Sequence, residues 1–162
     1  MTIQLETNVL FDKEHLLVHF PDGLIGLEEW RHFIIVTPQP EEPFRLLQAV
    51  DDERFSLIII DPRHIVADYG VILSKADAQA LSNLDRPYDL QFNDPDIEVY
   101  CILSIQAEPF DVTANLLGPL VINRQTGLGR QVILSDSNYN PRHPVMGQSA
   151  AHSIEKVGES TC

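Results

Sequence analysis

An all-β domain, a barrel or a sandwich carrying one short helix, is the fold class predicted by three features of this sequence. Most apolar residues fall in runs of four to eight, separated by Pro, Gly, Asn or Asp, which is the punctuation of short strands and tight turns. The 11 prolines sit mostly at run ends or between runs, so their missing N–H donor stays out of ladder interiors. Only one stretch is rich in helix formers and devoid of β-branched residues.

The predicted strands cover residues 3–6, 15–20, 33–37, 44–50, 56–61, 69–73, 98–106, 120–123 and 130–135. In 98–106, Val99, Cys101, Leu103 and Ile105 share one face and Tyr100, Ile102, Ser104 and Gln106 the other. A strand apolar on both sides belongs in the middle of a sheet. The helix is expected over 74–84: Ser74 is a natural N-cap, Asp77 its capping-box partner, and Ala80, Leu81 and Leu84 one apolar stripe. At 162 residues the chain has room for one domain and a tail. The boundary is expected at residue 144, because residues 145–162 carry only Val145, Met146, Ile154 and Val157 as sizeable apolar groups and are predicted to be a disordered tail.

Charge narrows the function classes. Lys and Arg number 11 against 24 Asp and Glu, a net of −13. Such a surface repels phosphate backbones and anionic membranes, so direct nucleic-acid or membrane binding is not expected. It suits a basic partner, attracted through the long-range field. Residues 1–62 hold 12 of the acidic and 4 of the basic side chains and should dominate that field. The N-terminus has no basic segment followed by an apolar one, and no apolar run approaches the length of a membrane span. With only Cys101 and Cys162 there is no disulfide framework, and the cytoplasm is the expected compartment.

Motifs for chemistry are sparse. The sequence has no phosphate loop, nucleophile elbow, dinucleotide fingerprint, zinc-protease motif or paired C-x-x-C. His15 and His19 would lie roughly 13 Å apart along a strand, too far to share an ion, so no metal site is expected. Cys101 reads as a buried, unreactive thiol, and Trp30 as a core or edge anchor. The acidic runs Asp51-Asp52-Glu53 and Asn93-Asp94-Pro95-Asp96 lack calcium-loop spacing and read as solvated turns, the first also a possible contact for a partner.

Two turn-rich segments remain. Phe20-Pro21-Asp22-Gly23-Leu24-Ile25-Gly26-Leu27-Glu28 ends one strand and turns at Pro-Asp-Gly; Asn115-Leu116-Leu117-Gly118-Pro119-Leu120-Val121-Ile122-Asn123 leads into another. Together with Pro43-Phe44 and Leu47-Gln48, Asp61-Pro62, Gln131 with Ile133-Leu134, then Tyr139 and Arg142-His143-Pro144, they resemble the flagellar assembly factor family FliW. The resemblance runs over residues 1–144 and is carried by Phe20, Pro21, Gly23, Gly26, Gln48, Asn115, Pro119, Asn123 and Gln131. Leu27 stands where that family usually has Phe, and Ala49 where Ser is common. The resemblance implies a small antiparallel β-barrel without enzymatic activity or cofactor. It also implies two partners, the translational regulator CsrA, whose repression of flagellin mRNA is relieved, and flagellin, which competes for the same protein. Within that reading Asp22, Leu24, Glu28 and Glu29 are the expected contact, an acidic turn with an apolar Leu24, and Asp51, Asp52 and Glu53 the next. Leu24 could equally close the core beneath a solvated turn. The physical rival is a small barrel holding a cofactor or ligand in its mouth, as a carrier or an enzyme.

Overall fold

The computed structural model describes residues 16–82 and 91–145. The predicted strand at 3–6, His15, Leu84, Cys162 and the predicted tail beyond Val145 lie outside the described residues.

Strands β1 (Leu16–His19), β2 (His32–Val36), β3 (Phe44–Ala49) and β4 (Ser56–Ile60) form an antiparallel meander. A single 3-10 turn at Pro62–His64 and helix α1 (Lys75–Ser82) follow, then β5 (Ile97–Ala107), β6 (Phe110–Ala114), β7 (Leu120–Asn123), β8 (Leu128–Gln131) and β9 (His143–Pro144). β4 pairs with β5 through Ile59↔Ile102 and Ile60↔Cys101, β5 with β7, and β7 with β8. β8 returns to β1 in parallel at His19↔Leu128, which closes β1 to β5, β7 and β8 into a seven-strand barrel. The far half of β5 leaves the barrel as a hairpin with β6, and β9 adds to the edge of β6. The fold is the all-β barrel with one short helix.

Register separates two cores. Residues paired in phase with Val18, Phe33, Leu47 and Ile59 point into the barrel, where Phe20, Phe33, Leu120 and Ile122 are fully buried. The opposite phase of β3, β4, β5 and β7, including Phe44, Ile60, Cys101 and Val121, faces outward beneath α1, β6 and the segments around Tyr69, Leu116 and Val132. β5 is apolar on both sides because Tyr100 and Ile102 serve the inner core while Val99, Cys101 and Leu103 serve the outer. Burial, with the nearby charge of Asp61 adding, pushes the Cys101 thiol up to about 12, so it is protonated and unreactive at neutral pH.

The capping box forms as the sequence predicts: the Ser74 amide donates to Asp77 Oδ2 at 3.1 Å and the Asp77 amide to Ser74 Oγ at 3.0 Å. Of the apolar stripe, Leu81 is fully buried and Ala80 partly; Ala78 adds to the buried face. Two strand expectations need correction, and two strands are added to them. Residues 69–73 alternate in burial like a strand but join no ladder, and the last expected strand, 130–135, is laddered instead at Leu128–Gln131. β6 and β9 were not expected, the first because Glu108-Pro109 reads as a run end, the second because a two-residue edge strand containing Pro144 has no period to detect. No described helix is long and apolar enough to cross a membrane.

Candidate functional site

The loop between β1 and β2 is built by its glycines and its carbonyls. Gly23 (φ +70°) and Gly26 (φ +82°) take the left-handed region, and a Cβ on Gly23 would lie 2.9 Å from the Glu28 backbone. The Gly23 amide donates to Phe20 O, Leu27 to Leu24 O and Trp30 to Leu27 O, while Arg31 Nη1 donates to Pro21 O. Glu28 Oε2 accepts the Gly26 amide at 3.0 Å, and that bond is the main reason its carboxyl titrates below the ordinary value. Asp22 and Glu29 are exposed.

Leu24 is only 1% exposed and belongs to the inner core, which corrects its expected place on a contact surface. The exposed apolar side chain of this loop is its neighbour Ile25, at 63%. Trp30 is the expected anchor: its ring stacks on Phe55 with centroids 4.2 Å apart.

The second acidic turn opens at the same end of the barrel. His32 pairs with His19 at the head of β2, and its carbonyl accepts the Val50 amide, so the β3–β4 turn lies beside the β1–β2 loop. Asp51 and Glu53 are exposed; Asp52 Oδ1 accepts Arg54 N at 3.0 Å and Nε at 3.1 Å. The Arg54 side chain, then its amide, hold the Asp52 carboxyl below its usual range. Gln48 Nε2 reaches back to the Phe55 and Asp52 carbonyls at 3.3 and 3.4 Å, which ties the turn to β3.

Gln131 joins this end to the outer layer. Its Oε1 accepts the Ile25 amide at 2.9 Å and its Nε2 donates to Gly118 O at 3.0 Å. Asn115 Oδ1 accepts the amides of Leu117 and Gly118, and Pro119 O accepts the Val132 amide. Buried Asn123 donates to Leu81 O and accepts the Gln125 amide, fastening α1 to the barrel. The nine motif residues thus act as braces, among which Phe20 fills the barrel and Pro21 offers its carbonyl to Arg31.

Beside Gln131 runs an open groove of about 640 Å³, lined by Ile72, Ile133, Asp77, Arg130 and Asp136 among others. Arg130 bridges Asp22 and Asp77 at 2.8 Å each, linking the loop to α1. Ile72 is 91% exposed and Ile133 47%. Ile72 and Arg130 were not singled out in the sequence, and Ile25 and Ile133 stood there only inside motif blocks, with no surface role given to them. An exposed aliphatic in a loop has the composition of a buried one, and only membership of a motif block marked Ile25 and Ile133. Where β1 meets β2 and β8, His19 and His32 stack at 4.3 Å with planes 3° apart; among the described residues no three metal-ligating side chains converge.

The model of the family described as FliW protein matches residues 4–145. The flagellar assembly factor FliW of Bacillus subtilis is 36% identical over 138 residues, covering 85% of this chain and 90% of that protein. That of Geobacter sulfurreducens is 30% identical over 139 residues, with 85% and 81% covered. A crystal structure of the flagellar assembly factor FliW superposes with a TM-score of 0.68 at 28% identity, over 85% of this chain and 89% of the other.

Proposed function

Because the chain belongs to the FliW family of flagellar assembly factors, we propose that it works by partner exchange in the cytoplasm. In this reading it binds the regulator CsrA and relieves repression of flagellin mRNA, until accumulating flagellin occupies it and releases CsrA. Family membership over residues 4–145 carries the reading. The surface supports it: a net charge of −13 disfavours RNA and favours an RNA-binding, hence locally basic, protein. Both acidic turns lie at one barrel end, beside exposed Ile25, so steering charge and an apolar contact adjoin.

The rival of a ligand in the barrel mouth meets a filled interior, since Phe20, Phe33, Leu47, Leu120 and Ile122 occupy it. Titration calorimetry of the full chain with purified CsrA tests the proposal, together with competition by flagellin and a gel shift of flagellin leader RNA. The expected result is direct CsrA binding that flagellin displaces, with no RNA shift by this chain alone at about 50 mM salt, where phosphate contacts are strongest. An RNA shift by this chain alone, or no heat with CsrA, overturns it. Glu28→Gln with Glu29→Gln should slow CsrA association and flatten its salt dependence with little effect on the melting midpoint, because rim charge acts mainly on encounter.

A further inference from the structure

The groove beside Gln131 has two walls with unused backbone. On one wall Val132 and Leu134, two residues apart, donate their amides to Pro119 O and Leu117 O, continuing the β7–β8 ladder beyond its last pair. Ile133 between them turns its N–H and C=O to the opposite edge, where neither group meets a partner among the described residues. On the other wall, burial alternates from Tyr69 (3%) through exposed Gly70 to Val71 (6%) and Ile72 (91%), the period of an extended chain. The Gly70 amide donates to Tyr139 Oη at 3.1 Å, and Ile72, two residues on, presents its backbone to the same edge. Its N–H and C=O are likewise unpaired among the described residues. The two walls therefore offer strand edges to the space between them without pairing to each other.

We propose that this groove receives an extended segment of a partner protein, aliphatic at alternate positions and carrying lysine or arginine, which adds as a strand to the open edges at Ile72 and Ile133. Main-chain bonds give such a site its affinity and side-chain pockets its selectivity. Ile72 and Ile133 supply the apolar contacts, and the polarity of the rim chooses the sign of the guest. Asp77 and Asp136 line the groove, while Arg130, the one cation among its described lining residues, is held by Asp22 and Asp77. A basic segment is attracted there and an acidic one repelled. The chain's own ends fit less well: residues 1–15 hold Glu6, Asp12 and Glu14 against Lys13, and residues 146–162 hold Glu155 and Glu159 against Lys156. A second copy brings a charge of −13 of its own. The groove adjoins the acidic β1–β2 loop through Arg130–Asp22 and Gln131–Ile25, and the inference deepens the function proposed above, resting on it only in taking the partner to be a basic protein.

The test uses the full chain and a fluorescein-labelled octapeptide in which valine alternates with lysine and threonine. Fluorescence polarisation should show binding that weakens with salt. N-methylation of alternate peptide nitrogens, which removes main-chain donors and leaves the side chains unchanged, should weaken it about tenfold or more. Ile72→Asp and Ile133→Asp should each do the same at an unchanged melting midpoint, and glutamate in place of the peptide's lysines should abolish binding. No binding of the parent peptide, or equal binding of the N-methylated form or by Ile72→Asp, overturns the proposal. So does either rival occupant: a sedimenting dimer abolished by Ile72→Asp, or amide-exchange protection of residues 146–162 that this substitution removes. CsrA titrations of the same variants keep the two readings apart. Peptide binding without CsrA binding sinks the function alone, whereas CsrA binding without a groove effect on the peptide sinks the groove alone.

Discussion

Phe20 and Phe33 meet edge to face inside the barrel with centroids 5.7 Å apart, and Tyr69 and Tyr139 meet at 4.4 Å on its outer wall. The inner pair is enclosed by seven strands whose pairings run around the barrel and close at His19↔Leu128, so ladder hydrogen bonds hold its wall. The outer pair is held by single ties: Tyr69 Oη donates to Leu116 O at 2.7 Å, and Tyr139 Oη accepts the Gly70 amide. A closed barrel has no edge to offer a partner, while an outer layer of irregular segments keeps edges open. In this molecule the barrel supplies rigidity, and the layer laid on it supplies the surface.

The largest effect should separate the two cores. Phe33→Ala removes a fully buried ring from walls that cannot collapse, and should lower unfolding free energy by about 3–5 kcal/mol. Leu116→Ala removes a side chain that is 1% exposed in the outer layer, where the irregular neighbours can relax, and should cost about 2–3 kcal/mol, at the low end for such truncations. Urea unfolding of both variants checks the order. A Leu116→Ala cost equal to that of Phe33→Ala would mean the outer layer is as rigid as the barrel.

How much of this was legible follows the same division. β1 to β5 and β7 lie close to the predicted runs because a barrel wall imposes a period of two on the sequence, and Ser74 with Asp77 marked the start of α1 unaided. The outer layer imposes no such period. Residues 69–73 carry a strand's alternation without a ladder partner, and nothing local distinguishes those conditions. The candidate site divides likewise. The acidic turns were visible as composition, but whether Leu24 or Ile25 faced water depended on φ at Gly23 and Gly26 and on the distant Gln131 side chain, 106 positions away from Ile25. Gln131 was visible as a motif residue; its role as a brace was not.

A smaller effect sharpens the comparison at the seam between the cores. Asn123→Ala removes the donor to Leu81 O and the acceptor of the Gln125 amide, yet Thr126 Oγ1 still donates to Leu81 O at 2.8 Å. The expected cost is therefore about 1–2 kcal/mol, short of that for a fully orphaned carbonyl. The loss should be local. Hydrogen exchange should quicken at the amides of α1 with the β2 and β3 amides unchanged, and uniform quickening would show that helix and barrel open as one unit.

The smallest effect concerns the barrel wall that carries the stacked His19 and His32. Burial first, then the charge of His32 and of Arg31, lowers the His19 titration point below its ordinary 6.5. A base with a lowered value in the fold binds fewer protons there than in the unfolded chain, so stability rises with pH through this range. The penalty is absent well above 6.5 and grows as pH falls through that value toward the folded-state one, because the unfolded chain takes up the proton first. Replacing His32 by Gln removes the like charge from the stack and leaves burial and Arg31 in place. The fall in urea midpoint from about pH 7.5 to about pH 5.5, a window above most carboxylate titrations, should then be shallower than in the parent chain. The peptide affinity of the groove should keep its parent pH profile, since neither histidine lines it. An unchanged slope in the His32→Gln chain would show that the stacked pair does not couple to folding.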